Sequence, residues 1–199
     1  MQTFQSFEVI VVDDCSTDNS CAVVESYIPK FSGRLRLYHT EKNSGGGYLP
    51  RNLGLNHASG EYVIFLDADD FLLLTALETL YNTARKNDAD VIYSSVYYNV
   101  KKPNDVYIYR DGFAKNLIEQ NFEDKTELTV DNRHKIFHEL LYPGSGEGNF
   151  RAPWSKFVRR DFLVKNEILF PDIVTGGDCI WVINVYAHAQ RFLRLSVPL

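Results

Sequence analysis

Three aspartates within four residues, Asp67, Asp69 and Asp70, directly follow an apolar stretch at 61–66. Carboxylates this close raise one another's pKa unless a cation shares the site, and hard divalent ions such as Mg²⁺ or Mn²⁺ take oxygen ligands of this kind. A Mg²⁺ site usually combines one or two carboxylates with substrate phosphates, so the cluster suggests a metal held between protein and a diphosphate. An isolated Asp-x-Asp-Asp is equally well read as a cap for the helix that follows. A second acidic pair, Asp13-Asp14, closes an earlier apolar run. A carboxylate there can accept hydrogen bonds from a base or ribose, and capping of the next helix explains it as well. The third segment, 43–54, carries Gly45, Gly46 and Gly47 and then Arg51. Glycines let backbone approach a ligand, and a helix N-terminus with an arginine offers positive potential; taken alone, the segment reads as a loop with a surface arginine.

These residues must be positioned by regular elements. Residues 7–12 are apolar and β-branched up to Asp13-Asp14, the pattern of a buried parallel strand ending in carboxylates. Ser16, Thr17 and Asp18 are N-cap residues for a helix that places Ala22, Val23, Ser26 and Tyr27 on one face and ends at Pro29. Further strands are expected at 34–38, 61–66, 91–97, 106–109 and 192–197. Helices are expected at 50–57, with Leu49, Leu53 and Asn56 on one face, at 71–86, and at 131–142 and 179–190, with a Gly-rich loop at 143–148. Strand alternating with helix predicts a mostly parallel sheet flanked by helices, whose ligands bind beyond the carboxyl ends of the strands, where both acidic clusters lie.

Bulk properties narrow the partners. A chain of 199 residues, 45% hydrophobic and 24% charged, suits one folded domain. The net charge of -5, without a dense basic window, lacks the footprint that neutralises a nucleic-acid backbone, so no nucleic-acid partner is expected. An anionic substrate would need a cation or local donors. Cys15, Cys21 and Cys179 form neither a CxxC pair nor a disulfide framework, which favours a reducing compartment. No run approaches the roughly 18 apolar residues of a membrane span, and the N-terminus is not a signal peptide; the chain reads as cytoplasmic, with peripheral association at the inner face of a membrane left open.

Taken together, Val11-Val12-Asp13-Asp14-Cys15-Ser16-Thr17-Asp18, the segment from Asn43 to Arg51-Asn52, and Gly60-Glu61-Tyr62 running into Leu66-Asp67-Ala68-Asp69-Asp70 resemble the family 2 glycosyltransferases with the GT-A fold. Three motifs in this order over about 60 residues are far more specific than any one of them. The stretch from Ala152 to Phe162, and Phe170-Pro171 with Gly177-Asp178, also resemble the family's C-terminal half. The resemblance implies a GT-A-like, Rossmann-related α/β domain over 1–199, with a nucleotide-sugar half at 1–100 and an acceptor half at 101–199. It implies inverting transfer of a sugar from a nucleoside diphosphate, UDP in the first place, to a glycan or lipid-linked acceptor, as in polysaccharide biosynthesis. Asp14 would meet the base, Arg51 would lie near the base or phosphates, and Asp67 and Asp69 would form the Asp-x-Asp signature. Asp69 and Asp70 would lie nearest the ribose and a Mn²⁺ or Mg²⁺ ion, and Asp178 would be the general base.

That chemistry needs one base for the acceptor hydroxyl and a cation for the departing diphosphate. Gly177 stands where the family usually has Glu, and Cys15 where it often has Gly. Family members also open with a strand and helix before the position of Gln2-Thr3-Phe4, so the chain is expected to begin inside the family's domain. A sugar-1-phosphate nucleotidyltransferase is the rival reading, but no Gly-rich, Lys/Arg-bearing phosphate loop opens the sequence; a non-catalytic nucleotide-sugar or carbohydrate binder is the other. His134 and His138 share helical spacing but lack the Glu of a zinc helix. Trp154, Trp181, Tyr97 and Tyr98 could stack on a sugar, with core packing the commoner fate. Cys179 reads as a buried thiol.

Overall fold

A computed structural model of the chain describes residues 2–102, 105–110, 126–127, 151–173 and 175–198, with side chains for 2–94, 151–173 and 175–195. Strand β1 (Val9–Asp13) is followed by α1 (Ser20–Tyr27), β2 (Leu35–His39), α2 (Tyr48–His57), β3 (Tyr62–Ile64), α3 (Ala76–Asn87), β4 (Val91–Lys102) and β5 (Asp105–Arg110). Then come β6 (Thr126–Glu127), β7 (Lys156–Arg159), α4 (Arg160–Lys165), α5 (Gly177–His188) and β8 (Arg191–Pro198). The helix expected at 131–142 and the loop at 143–148, with His134 and His138, lie outside the described residues.

The strands form two sheets among the described residues, β1-β2 alone and β3-β7-β4-β8-β6 with β5 beside β4. The expectation of a mostly parallel sheet needs qualification. Direct parallel pairing joins β1 to β2 and β4 to β8, while β7 is antiparallel to both β3 and β4, and β5 and β6 also pair antiparallel. Strands β3 and β4 therefore run the same way, as strand-helix-strand alternation requires, but the short strand β7 from the second half of the chain lies between them.

Alternation across this larger sheet explains why its strands are apolar on both faces. Val91 and Tyr93 of β4, Val158 of β7 and Phe192 of β8 join Phe162, Leu163, Trp181, Val182, Val185 and Tyr186 of α4 and α5. The intervening Ile92, Phe157 and Leu193 pack with Tyr62, Leu80 and Ala84 on the α3 side. The result is a three-layer arrangement, helix, sheet and helix, with the sheet fully covered there. Trp181 is wholly buried and stacks on Phe170 at 4.8 Å between centroids, so it belongs to the core and not to a sugar platform.

The small sheet differs. β1 was expected to be buried, yet all five of its residues are only partly buried, because no described strand pairs with its second edge. The face of α1 also differs from expectation: Ala22, Val23, Ser26 and Tyr27 are exposed, and Cys21, Val24 and Ile28 turn inward. In α2 the buried residue is Leu55, while Asn56 is exposed. Helix α3 begins at Ala76, not at 71; Leu73 and Leu74 carbonyls instead accept from Gln2 Nε2 (2.7 Å) and the Thr3 backbone N–H (2.8 Å). Phe71 and Leu74 remain exposed on that connection.

Candidate active site

The loop from Thr40 to Gly47 is organised by Asp14. Its carboxylate accepts from the Thr40 hydroxyl (2.8 Å), the Ser44 hydroxyl (2.8 Å) and the Ser44 N–H (3.0 Å), while Asn43 Nδ2 donates to the Asp14 carbonyl (2.7 Å). Burial pushes the Asp14 carboxyl up, but the hydrogen bonds from Ser44 and Thr40 outweigh it and hold the group below its ordinary value. The residue expected to meet a nucleotide base thus fixes the approach to α2 with its own side chain.

That approach delivers Arg51 one turn into α2. Its Nη1 donates to Asp178 Oδ1 at 2.7 Å and its Nη2 to Asp67 Oδ1 at 3.0 Å. The guanidinium also lies 5.3 Å from the Phe170 ring centroid, above a cluster in which Phe65 meets Phe170 and Trp181 edge-on. Gly47 at the helix start makes room for this posture: a Cβ there would fall 2.7 Å from Arg51 Nη1. Asp178 is the second residue of α5, and Gly176 before it takes the left-handed φ of 84° that turns the chain into the helix. Asn52 ties the two halves together, its amide donating to the Phe170 carbonyl (2.8 Å) and accepting from the Phe170 N–H (2.9 Å).

Arg51, Asp67 and Asp178 therefore meet. Asp69 and Asp70 lie on the exposed turn just after Asp67, where the Asp70 N–H donates to the Asp67 carbonyl at 3.1 Å. Burial, and then the charges of Asp67 and Asp69, push the Asp70 carboxyl above its ordinary value. The three aspartates do not converge on a point; among the described residues the only group with three possible ligand atoms mutually within 4.8 Å is Asp13, Cys21 and His39. Asp69 and Asp70 are exposed and form no ion pair with a described residue.

Several participants were not singled out in the sequence. Interaction with the Asp172 carboxylate, then burial and the charges of Asp172 and Asp14, push up the phenol of Tyr48, which stands at the start of α2. The signal available was the position of Tyr48 immediately after three glycines at a helix start. Glu8 was silent in sequence, yet its carboxylate accepts from the Ser59 N–H (2.7 Å), the Ser59 hydroxyl (2.9 Å) and the Gly60 N–H (3.0 Å), and pairs with Arg36. It fixes the turn that leads into β3 and Asp67.

The turn after Asp14, where the expected glycine is Cys15, keeps a glycine-like conformation: Cys15 has φ 62°. Its thiol donates to the Thr40 carbonyl at 3.4 Å. No helix among the described residues is long and apolar enough to cross a membrane.

The cholesterol galactosyltransferase of Borreliella burgdorferi is 32% identical over 96% of this chain and 50% of its own length. The poly(ribitol-phosphate) beta-N-acetylglucosaminyltransferase TarS of Staphylococcus aureus is 31% identical over 96% of this chain and 29% of its own. A crystal structure of S. aureus TarS in complex with UDP superposes with a TM-score of 0.74 at 28% identity, covering 100% of this chain and 53% of that one. The chain spans about half the length or less of the curated relatives it matches. The GT-A fold expected from the motifs is that of these neighbours. Residues 1–163 match the model for glycosyl transferase family 2, and the chain belongs to that family.

Proposed function

We propose that this chain is the donor-binding and catalytic part of an enzyme that transfers a sugar, with inversion, from a UDP-sugar to a hydroxyl of a glycan or lipid-linked acceptor. The observation that carries this reading is the bridge from Arg51 to Asp67 and Asp178, which joins the acidic turn after β3 to the start of α5. Relatives named for galactosyl and N-acetylglucosaminyl transfer, and the UDP-bound neighbour, support the donor class.

In this reading Arg51 holds Asp178 through Oδ1, and Oδ2, which accepts from no described residue, takes the acceptor proton. As the hydroxyl oxygen bonds to the anomeric carbon on one face, the bond from that carbon to the diphosphate oxygen breaks on the other, and UDP leaves. The Asp14-organised loop, with Tyr48 at its end, forms the nucleotide side, and residues 101–199, which supply Asp178, form the acceptor side. The open carboxylates Asp69 and Asp70 would hold Mn²⁺ or Mg²⁺, which neutralises charge on the departing diphosphate. Asp67 is already engaged by Arg51 and places the turn that carries them.

The test is Asp178→Asn in assays of UDP release with candidate UDP-sugars and acceptors, alongside calorimetric UDP binding. Loss of a general base should lower turnover about 10²–10⁴-fold while UDP binding persists. Undiminished turnover in Asp178→Asn would overturn the assignment of the base, and absence of UDP binding by the wild-type chain would overturn the donor.

A further inference from the structure

We propose that Asp13, Cys21 and His39 form a binding site for a zinc-class divalent cation, separate from the Arg51 cluster, that clamps β1, α1 and β2 together. Asp13 and His39 are directly paired in the β1/β2 register at the carboxyl ends of both strands. Paired positions on neighbouring strands project to the same face. His39 Nδ1 lies 3.5 Å from Asp13 Oδ2, and Cys21, in the first turn of α1, brings its Sγ to the same point, so that one ligand atom from each residue lies within 4.8 Å of the others.

Metal-ligand distances of about 2.0–2.3 Å in a tetrahedral zinc site place ligand atoms roughly 3.3–3.8 Å apart. The Asp13–His39 separation is already in that range, and the thiol needs only a small inward movement. One imidazole, one thiolate and one carboxylate is a donor set suited to zinc and poorly suited to Mg²⁺. The imidazole is exposed, leaving a fourth position for water.

The arrangement does not suit a nucleophilic cysteine. His39 Nδ1 faces the Asp13 carboxylate at 3.5 Å, and among the described residues no hydrogen bond joins the Cys21 thiol to the imidazole that would take its proton. The local charge also favours a cation. Burial, then the carboxylates of Asp13, Glu25 and Asp18, push the Cys21 thiol up. Among the described residues no lysine or arginine pairs with Asp13, Asp18 or Glu25; His39 is the only basic neighbour paired with Asp13. A dication would supply the missing positive charge and deprotonate the thiol as it binds.

The experiment titrates the purified wild-type chain with Co²⁺, which reports thiolate ligation by a charge-transfer absorption, and with Zn²⁺ in a thermal-denaturation series. Expected are a thiolate-to-cobalt band that Zn²⁺ displaces, a Zn²⁺-dependent rise in Tm that Mg²⁺ does not reproduce, and loss of both in Cys21→Ser and His39→Ala. Cys15→Ser, which alters the neighbouring exposed thiol, should keep both. Absence of the band in the folded wild type, or its persistence in Cys21→Ser, overturns the proposal. If either variant fails to fold, Zn²⁺ protection of Cys21 from alkylation in the wild type, mapped by mass spectrometry, decides: an unprotected Cys21 refutes the site. None of these readouts depends on sugar transfer.

Discussion

Arg51 Nη1 and Asp178 Oδ1 lie 2.7 Å apart although 127 residues separate them in the chain. The same guanidinium reaches Asp67 through its other terminal nitrogen. A planar fork holds two carboxylates at once in a fixed geometry, whereas an ammonium is a compact point charge on a flexible stem and fixes neither direction. Arg51→Lys should therefore release one of the two acids and misplace Asp178. A displacement of about 1 Å at a reacting group can cost on the order of 10²-fold in rate, and steady-state kinetics should show that loss mainly in kcat. Retention of wild-type kcat would show that the bridge is not part of the catalytic geometry.

Gly47→Ala tests the same bridge from the other side. The added methyl would stand 2.7 Å from Arg51 Nη1 and 3.0 Å from its Cζ. An arginine tip normally moves aside cheaply, but this one is tethered by two acids and stacked over Phe170. Gly47 is the N-cap of α2 with φ -77°, a conformation alanine adopts without backbone strain, so the variant should fold with a loss of about 1 kcal/mol or less from the poorer cap, yet show a drop in turnover in the direction of Arg51→Lys. Equal activity of Gly47→Ala and wild type would contradict the tethering.

Acid sensitivity follows from Glu8, Asp13 and Asp14, all held below their ordinary values of 4.5, 3.8 and 3.8. For Glu8 burial acts upward and the Ser59 and Gly60 hydrogen bonds with Arg36 outweigh it; for Asp13 the Ser16 hydrogen bond leads. Between the folded and ordinary values the unfolded chain binds more protons than the native one, so stability rises with pH in that window and is lost as pH falls through the folded values. Asp70, raised, has the opposite sign: its contribution declines as pH rises above 3.8 toward its folded value. Urea unfolding at pH values from about 3 to about 7 should show a steeper acid loss in wild type than in Glu8→Gln. Parallel curves would remove Glu8 as a source.

Cys15→Gly should stabilise the protein. A side chain in the left-handed region costs about 1–2 kcal/mol, and glycine's extra freedom when unfolded returns part of that, leaving a gain of about 1 kcal/mol or less. Loss of the thiol's bond to the Thr40 carbonyl reduces it further. Chemical denaturation with an unchanged m-value is the check; a lower midpoint would mean that the thiol contact outweighs the backbone term.

Much of this architecture could be read from the chain. Aliphatic runs stopped by carboxylates located β1 and β3, and the helical period located α3 and α5, because those patterns are local. β7 could not be found that way: it is four residues long and begins with Lys156, a charged residue that the fold buries by directing its Nζ to the Ala152 carbonyl and the Ser155 hydroxyl. Nor could local pattern show that 71–74 is not helical, since that is decided by Gln2 and Thr3 across the fold.

The candidate site divides in the same manner. Asp67, Asp69 and Asp70 announce themselves by crowding, whereas Asp178 is indistinguishable from a helix cap by its neighbours alone and was named only through the family resemblance. The Arg51 bridge is a product of tertiary structure, invisible until α2 and α5 are brought side by side. The Asp13–Cys21–His39 group was missed for the same reason: its spacing matches no short motif, and only the strand register unites two of its members.

Strand β1 leaves a line of backbone donors and acceptors without partners among the described residues, and the side chains along it are Val9, Ile10, Val11 and Val12. A β-branched, uncharged ribbon with an open border is a template on which another extended segment can zip. That border is accordingly where a further extended segment would add to the sheet, its register dictated by the same two-residue alternation that matches Val9 to Leu35 and Asp13 to His39.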